Sequence, residues 1–190
     1  DIVTVQAGTY REGVKPVRGG TSEGQRILYR AAPNDKVIIK GSERITGWAE
    51  VGGGVWKVEL PNSFFGDYNP YALKLSGGWL NYGQWHHRGD VYLDEAAFVE
   101  QRTLEEVRQR PQRWSCEVQG NTTMIWANFG TADPNQRLTE INVRESLKRA
   151  RGLDQPEHLC QIDPHHLLRR STAVEAVDVL MSTIDIDAVH

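Results

Sequence analysis

The sequence predicts an all-β protein in which the start of a parallel β-helix (1–45) is interrupted by a β-sandwich (46–145) and followed by an irregular tail (146–190). Three observations lead to this prediction. A repeat occupies the first part, alternating strand patterns separated by turn signals fill the middle, and both patterns are lost in the tail.

The repeat is carried by pairs of similar residues that share one spacing of 24 residues: Val3 and Val5 with Ile27 and Tyr29, Ala7 and Gly8 with Ala31 and Ala32, and Val14 with Ile38. A period in the twenties built from β-branched residues and tight turns is typical of a β-solenoid, whose coils bury Val, Ile and Ala inward. Two ordinary hairpins with the same spacing by chance are the alternative. Two coils are fewer than the three or so that stable stacking needs, so this part is expected to be marginal.

The middle part contains short strand-like runs. VWKVEL (55–60) alternates, which places Trp56, Val58 and Leu60 on one face. Further strand-like runs follow: GDVYL (89–93), TMIWANF (123–129) and LTEINVR (138–144). Turn signals separate the runs, notably GGG (52–54) and ADPN (132–135). About a hundred residues of this kind favour a β-sandwich.

Two short helices are predicted. Thr103 followed by Glu106 fits a capping box, and the helix would run through LEEVRQR and end before Pro111. In the tail, Ser171-Thr172 followed by Glu175 fits the start of a helix through AVEAVDVLM (173–181).

Composition sets limits on the function. Net charge is −3 and charged residues make up 25% of the 190 residues, which predicts no nucleic-acid and no membrane partner. The chain starts at Asp1 inside a strand-like run and without Met, so an upstream segment is expected. Cys116 and Cys160 lack metal spacing and are expected to be free thiols, with a disulfide between them left open. No motif indicates a cofactor, and formation of a homo-oligomer stays open.

Aromatic residues are the more informative class. LPNSFFGDYNPY (60–71) is too rich in turn residues for a strand and too apolar for an idle loop, so its rings need a cover. Trp79 lies with Trp85 on the Gly-rich stretch SGGWLNYGQW, where a ring can be presented to a sugar rather than buried. The remaining tryptophans lie in or beside strand runs and are predicted to be core: Trp48, Trp56, Trp114 and Trp126.

Other candidate chemistry has a structural interpretation. His86-His87 are neighbours and would point to opposite faces of a strand, so one solvent-facing and one structural histidine are expected rather than a metal site. The same structural interpretation is expected for His165-His166. A glycosidase needs two carboxylates flanking the sugar bond, and nothing singles out a catalytic pair. Asp67, Asp90 and Asp94 stand beside turn residues and are expected to serve the backbone.

Several strings resemble the N-terminal part of glycoside hydrolase family 120 β-xylosidases. They run from Asp1 to about Ser146 and include GTYREGVKP, YRAAPNDKVIIKGSERITGW, VWKVELPNSFFGDYNPY, GDVYLDE, IWANFGTADPN and TEINVRES. The resemblance implies a right-handed parallel β-helix interrupted by an immunoglobulin-like sandwich. It also implies release of xylose from short xylo-oligosaccharides with retention of configuration, by an Asp nucleophile and a Glu acid/base. Both carboxylates belong to later coils of the family, so this chain is expected to be inactive alone.

The resemblance carries over one substrate contact, Trp79 in GGWL, as a ring that the sandwich adds to the xylose pocket. It also implies that residues 60–71 seal the sandwich against the β-helix, so that Phe64→Ala would cost a few kcal/mol if Phe64 were buried there.

The chain departs from the family in two places. Asp94-Glu95 replaces an Asn-Gly turn, which puts the local loop in doubt, and the pattern ends after Ser146, as a frameshifted or rearranged gene would produce. The alternatives left open are a non-catalytic carbohydrate-binding or assembly module and a polysaccharide lyase-like β-helix protein.

Overall fold

The computed structural model describes residues 1–14, 21–22, 25, 27–76, 85–145, 179–180 and 184–186. The chain forms two compact units, one made of Asp1–Gly41 with Ser146–His190 and the other of Ser42–Glu145. None of the helices in the described part is long and apolar enough to cross a membrane.

Nearly all of the regular secondary structure in the described residues is β, as predicted for an all-β chain. In chain order the strands are β1 (Ile2–Val5), β2 (Gly8–Tyr10), β3 (Ile27–Ala31), β4 (Val37–Ile39), β5 (Ser42–Arg44), β6 (Ala49–Gly52), β7 (Val55–Pro61), β8 (Val91–Leu93), β9 (Ala96–Ala97), β10 (Val99–Glu100), β11 (Arg113–Gln119), β12 (Thr122–Asn128), β13 (Thr139–Asn142), β14 (Val179–Leu180) and β15 (Ile184–Ile186). One α-helix, α1, spans Leu104–Arg108, and a 3-10 helix spans Asn62–Phe65.

In the first unit, β1 pairs in parallel with β3, and β2 pairs in parallel with β4. The register corrects the predicted spacing of 24. Val3 pairs with Tyr29, 26 residues later, and Gly8 pairs with Val37, 29 residues later. The separation grows because the turn Pro33–Asn34–Asp35 has no counterpart between β1 and β2. Asn34 takes a φ of 66°, and the Asp35 carboxylate accepts a hydrogen bond from the Ala7 N–H at 2.8 Å.

Among its described residues, the first unit has one small hydrophobic cluster. Val37 and Ile39 are the buried members of this cluster, with Tyr10 and Tyr29 among the side chains packed against them. Val3 is 41% exposed, whereas the repeat predicts that valines point inward.

The tail adds two short strands to the first unit. β14 pairs with β4 and β15 pairs with β3, both antiparallel rather than as a further parallel coil. The helix predicted over 173–181 is wrong at Val179–Leu180, where pairing with β4 takes the place of the local helical signal. Its proposed cap at Ser171-Thr172 lies outside the described residues.

The second unit consists of two sheets. One has the order β10-β11-β12-β7-β6 and the other the order β5-β13-β8-β9. Both contribute to one hydrophobic core, the first through Trp114 and Ile125 and the second through Val91 and Ile141. The unit spans Ser42–Glu145, and its first strand, β5, pairs with β13.

Strand alternation places the tryptophans of the second unit. Trp56 packs against the core as predicted, and Trp48 and Trp114 are 3% and 1% exposed. The prediction is wrong for Trp126, which lies between the core residues Ile125 and Ala127 and therefore faces the other side of the sheet. There the Lys57 Nζ lies 5.4 Å from its ring centroid.

Helix α1 begins at the predicted capping box. The Thr103 hydroxyl accepts a hydrogen bond from the Glu106 N–H at 3.2 Å, and the Glu106 carboxylate accepts one from the Thr103 N–H at 3.0 Å. Its buried Val107 and the Asn128 side chain fix the helix on the sheet, since the Asn128 amide donates to the Val107 carbonyl at 3.0 Å.

Residues 60–71 close the core of the second unit. Phe65 is 6% exposed and Tyr71 1%, and their ring centroids lie 5.6 Å apart. Phe64 was considered for burial but is 42% exposed, because the 3-10 helix turns adjacent side chains in different directions. The rings that need a cover are therefore Phe65 and Tyr71, and the sheets of their own unit provide it.

The departure at Asp94-Glu95 still forms a tight turn. β8 and β9 pair through Leu93 and Ala96, and the two turn residues have φ values of 47° and 70°. The Asp94 carboxylate accepts a hydrogen bond from the Leu138 N–H at 3.2 Å and pairs with Arg137. These contacts stabilise a turn with positive φ, a backbone conformation that Glu rarely adopts.

Glu95→Gly is expected to raise the free energy of unfolding by about 0.5–1 kcal/mol, because glycine adopts positive φ without the left-handed penalty. Urea denaturation measures the change. Glu117→Gly is the control, since Glu117 is an exposed residue of β11, where glycine should instead destabilise. A loss of stability in Glu95→Gly would contradict the argument.

Candidate functional site

The Gly-rich segment that carries Trp79 is closed at its base by a short antiparallel contact. Lys74 bridges to His87, and the Leu75 N–H donates to the His86 carbonyl at 2.8 Å. Residues 77–84 between them, Trp79 included, lie outside the described residues. The sugar contact assigned to Trp79 therefore stays a prediction, whereas the base of its segment has a defined geometry.

Aromatic side chains flank this base. The half-buried rings of Trp85 and His86 are stacked, with centroids 3.6 Å apart and planes at 28°. The exposed Arg102 places its guanidinium carbon 5.9 Å from the Trp85 centroid. A flat ring with guanidinium donors beside it is the combination that binds a sugar ring and its hydroxyls. No sequence pattern pointed to Arg102, because it precedes the capping box and is distant from Trp85 along the chain.

His87 is bound to the buried Glu100. The His87 Nδ1 lies 2.6 Å from the Glu100 Oε1, and the His87 N–H donates to the Oε2 at 2.9 Å. The expectation of one solvent-facing histidine is wrong, since His86 and His87 are both half-buried. They engage different partners because adjacent side chains of extended backbone diverge.

Cys116 lies beside this pair. One ligand atom each of His87, Glu100 and Cys116 lies within 4.8 Å of the others. Burial, and after it the Glu100 carboxylate, raises the pKa of the Cys116 thiol, so the sulfur keeps its proton at neutral pH. Cys116 forms no disulfide, and Cys160 lies outside the described residues.

Buried polar side chains hold the second unit together behind this surface. The Tyr71 hydroxyl donates to the Asp90 carbonyl at 2.7 Å, and the Asn142 side chain accepts from the Asp90 N–H at 2.5 Å. The Asn142 amide donates to the Arg88 carbonyl at 2.8 Å. These contacts fix the chain that leads from the base of the Gly-rich segment into β8.

The buried acidic side chains of the described part make structural contacts. Each of the buried carboxylates accepts a hydrogen bond within the unit: Asp90 from the Tyr92 hydroxyl, Glu100 from the His87 N–H, and Glu140 from the Ser42 hydroxyl. Of the aspartates predicted to serve the backbone, Asp94 accepts from the Leu138 N–H, the Asp90 carboxylate accepts from the Tyr92 side chain, and Asp67 is exposed.

The structure is that of an all-β protein. In chain order, two parallel strand pairs come first, and a unit of two sheets follows. The described residues of that unit include the stacked rings of Trp85 and His86. Residues 45–113 match the family model described as glycoside hydrolase 120, insertion domain. The chain is also similar to the solved structure titled "The complex structure of XylC with xylose", at 42% identity and a TM-score of 0.74. That match covers 78% of this chain and 27% of XylC.

No curated protein matches the chain significantly. The resemblance to the N-terminal part of glycoside hydrolase family 120 proteins is confirmed by the family model and by the similarity to XylC. The chain spans about a quarter of the length of XylC, since the match covers 27% of it.

Proposed function

We propose that this chain is the N-terminal part of a retaining β-xylosidase that releases xylose from short xylo-oligosaccharides. The observation that carries the proposal is its 42% identity to XylC, a protein solved with xylose. In the same proposal, the parallel strands are the first coils of a right-handed β-helix, and the two-sheet unit is an immunoglobulin-like insertion.

Retaining hydrolysis needs two carboxylates about 5 Å apart, one to attack the anomeric carbon and one to protonate the leaving oxygen. The buried carboxylates among the described residues accept hydrogen bonds within the second unit, and in this proposal the catalytic Asp and Glu belong to later coils of the β-helix. We therefore expect the 190-residue chain alone to be without xylosidase activity on a chromogenic xyloside. Hydrolysis by the purified chain would contradict this expectation.

The contribution of this chain to the site is substrate binding. Trp79 would stack on the C–H face of xylose, in the way that aromatic rings bind sugars. The paired base of the segment that carries Trp79 supports this role, because Trp85, His86 and Arg102 place an aromatic surface and a cation at that base.

Trp79→Ala is expected to weaken xylose binding about two- to tenfold, because stacking contributes roughly 0.5–1.5 kcal/mol and 1.4 kcal/mol is tenfold in affinity. Ligand-observed NMR with xylose measures the affinity of the 190-residue chain. Trp126→Ala is the matched control, since Trp126 lies on β12, outside the Gly-rich segment, on the face of the sheet that points away from the hydrophobic core. Equal xylose affinity in Trp79→Ala and the parent chain would contradict the role of Trp79.

A second candidate is a carbohydrate-binding or assembly module without hydrolysis. The observation in its favour is that Ser42–Glu145 has a hydrophobic core of its own. Sequencing the coding DNA from Asn142 to beyond His190 separates the two functions. A reading frame that resumes β-helix coils with an Asp and a Glu supports the xylosidase, and the lack of such a frame supports the module.

A further inference from the structure

Three side chains with different ligand chemistry meet at the edge of the second unit. Glu100 on β10 lies opposite Trp114 of β11, and Cys116 follows two residues later on the same face of that strand. His87 approaches from the base of the Gly-rich segment. An imidazole nitrogen, a carboxylate oxygen and a thiol sulfur thus come within 4.8 Å of one another.

We propose that His87, Glu100 and Cys116 form a binding site for a borderline transition-metal ion of the Zn²⁺ class, with a fourth tetrahedral position for water. Zn²⁺ combines sulfur, nitrogen and oxygen ligands in this way, with bonds of about 2.0–2.3 Å. Ca²⁺ and Mg²⁺ prefer oxygen ligands alone, so the imidazole and the thiol select against them.

The geometry already orients two of the ligands. The Glu100 Oε2 accepts the His87 N–H, which fixes the carboxylate while its Oε1 faces the His87 Nδ1 at 2.6 Å. A divalent ion bound by this nitrogen and oxygen would replace the proton that they share. The His87 side chain is 20% exposed and that of Glu100 7%, so the ion enters from the histidine side.

The third ligand requires proton release. The Cys116 sulfur lies 3.8 Å from the Tyr71 carbonyl, to which its S–H donates. On metal binding the S–H bond breaks, the proton passes to solvent, and the thiolate electron pair forms the metal–sulfur bond. Glu100 opposes the thiolate when no metal is present, whereas a divalent ion between them reverses that repulsion.

The competing interpretation is that the same three side chains only fix the base of the Gly-rich segment. Cobalt distinguishes the two, since Co²⁺ occupies Zn²⁺ sites and shows a thiolate-to-metal charge-transfer band in the near ultraviolet. The full 190-residue chain is prepared as Cys160→Ser, which leaves Cys116 as its one thiol. We expect the band to appear with Co²⁺ alone and to be lost in Cys160→Ser/Cys116→Ser.

Thermal unfolding of the same Cys160→Ser chain with Zn²⁺ alone provides the second measurement. Metal bound by the folded state should raise Tm by at least about 5 °C when free Zn²⁺ is about 100-fold above its Kd. Cys160→Ser/His87→Ala should show no such rise.

Both readouts on Cys160→Ser decide the matter even if the double variants fail to fold. A chain that gives no charge-transfer band, or whose Tm is unchanged or lowered by Zn²⁺, would overturn the site and leave the three residues as a structural contact. Xylose binding is measured without metal, so failure of the metal site leaves the xylosidase proposal untouched.

Discussion

Tyr71→Ala is expected to lower the free energy of unfolding by about 3–5 kcal/mol, the range for removing a large aromatic side chain from a core. Tyr71 is 1% exposed and contacts the rings of Phe65 and Trp114, with centroids 5.6 and 5.7 Å away. Its hydroxyl also donates to the Asp90 carbonyl at 2.7 Å. Urea denaturation followed by tryptophan fluorescence measures the loss.

Two further variants serve as controls, one for the Tyr71 hydroxyl and one for the burial of the ring. Tyr71→Phe keeps the packing and removes the donor, so it should cost about 1–2 kcal/mol. Phe64→Ala removes a ring of the same segment that is 42% exposed, so it should cost less than about 1 kcal/mol. If Phe64→Ala and Tyr71→Ala were equally destabilising, residues 60–71 would not close this core as described.

The pH dependence provides an independent check on Tyr71. Burial, followed by the Asp90 carboxylate, raises the pKa of Tyr71 well above its ordinary value. The unfolded chain loses the phenol proton above about pH 10 while the folded chain keeps it, so stability is complete below that pH and declines as pH rises. Tyr71→Phe should therefore show a shallower decline between about pH 10 and 11.

Local signals in the sequence predicted local structure well. The Thr103–Glu106 capping box marks the start of α1, and the alternation of VWKVEL places Trp56 and Val58 on the core face of β7. In both places the residues that make up the pattern are also the residues whose structure it predicts, and they lie within a few positions of each other along the chain.

Contacts between distant segments were not predictable in the same way. Glu100 has the local sequence of an ordinary surface acid, yet parallel pairing with β11 turns it inward beside Cys116. The 24-residue repeat indicated which segments form strands but gave the wrong residue pairs between them. Similarity of residues does not reveal an added turn such as Pro33–Asn34–Asp35, which shifts the register. Trp126 was predicted to be core because a strand pattern does not say which face is covered.

Gly54→Ala is the second large effect, with an expected loss of about 2–4 kcal/mol in the free energy of unfolding. The φ of Gly54 is 78°, so any side chain adds left-handed strain. A Cβ at this position would also lie 2.6 Å from the Gly130 carbonyl oxygen. The two backbone segments cannot easily move apart to make room, because the Phe129 N–H donates a hydrogen bond to the Gly54 carbonyl at 2.8 Å.

Gly53→Ala is the matched control that isolates the steric contribution. Gly53 has a similar φ of 66°, but no atom lies within 4 Å of the position that a Cβ would take, so only the conformational strain of about 1–2 kcal/mol applies. The run GGG (52–54) predicts a turn and offers no means of telling these glycines apart. Equal losses in Gly53→Ala and Gly54→Ala would mean that β7 and the segment around Gly130 do not approach as closely as described. A larger loss in Gly54→Ala would instead identify it as the glycine that this contact requires.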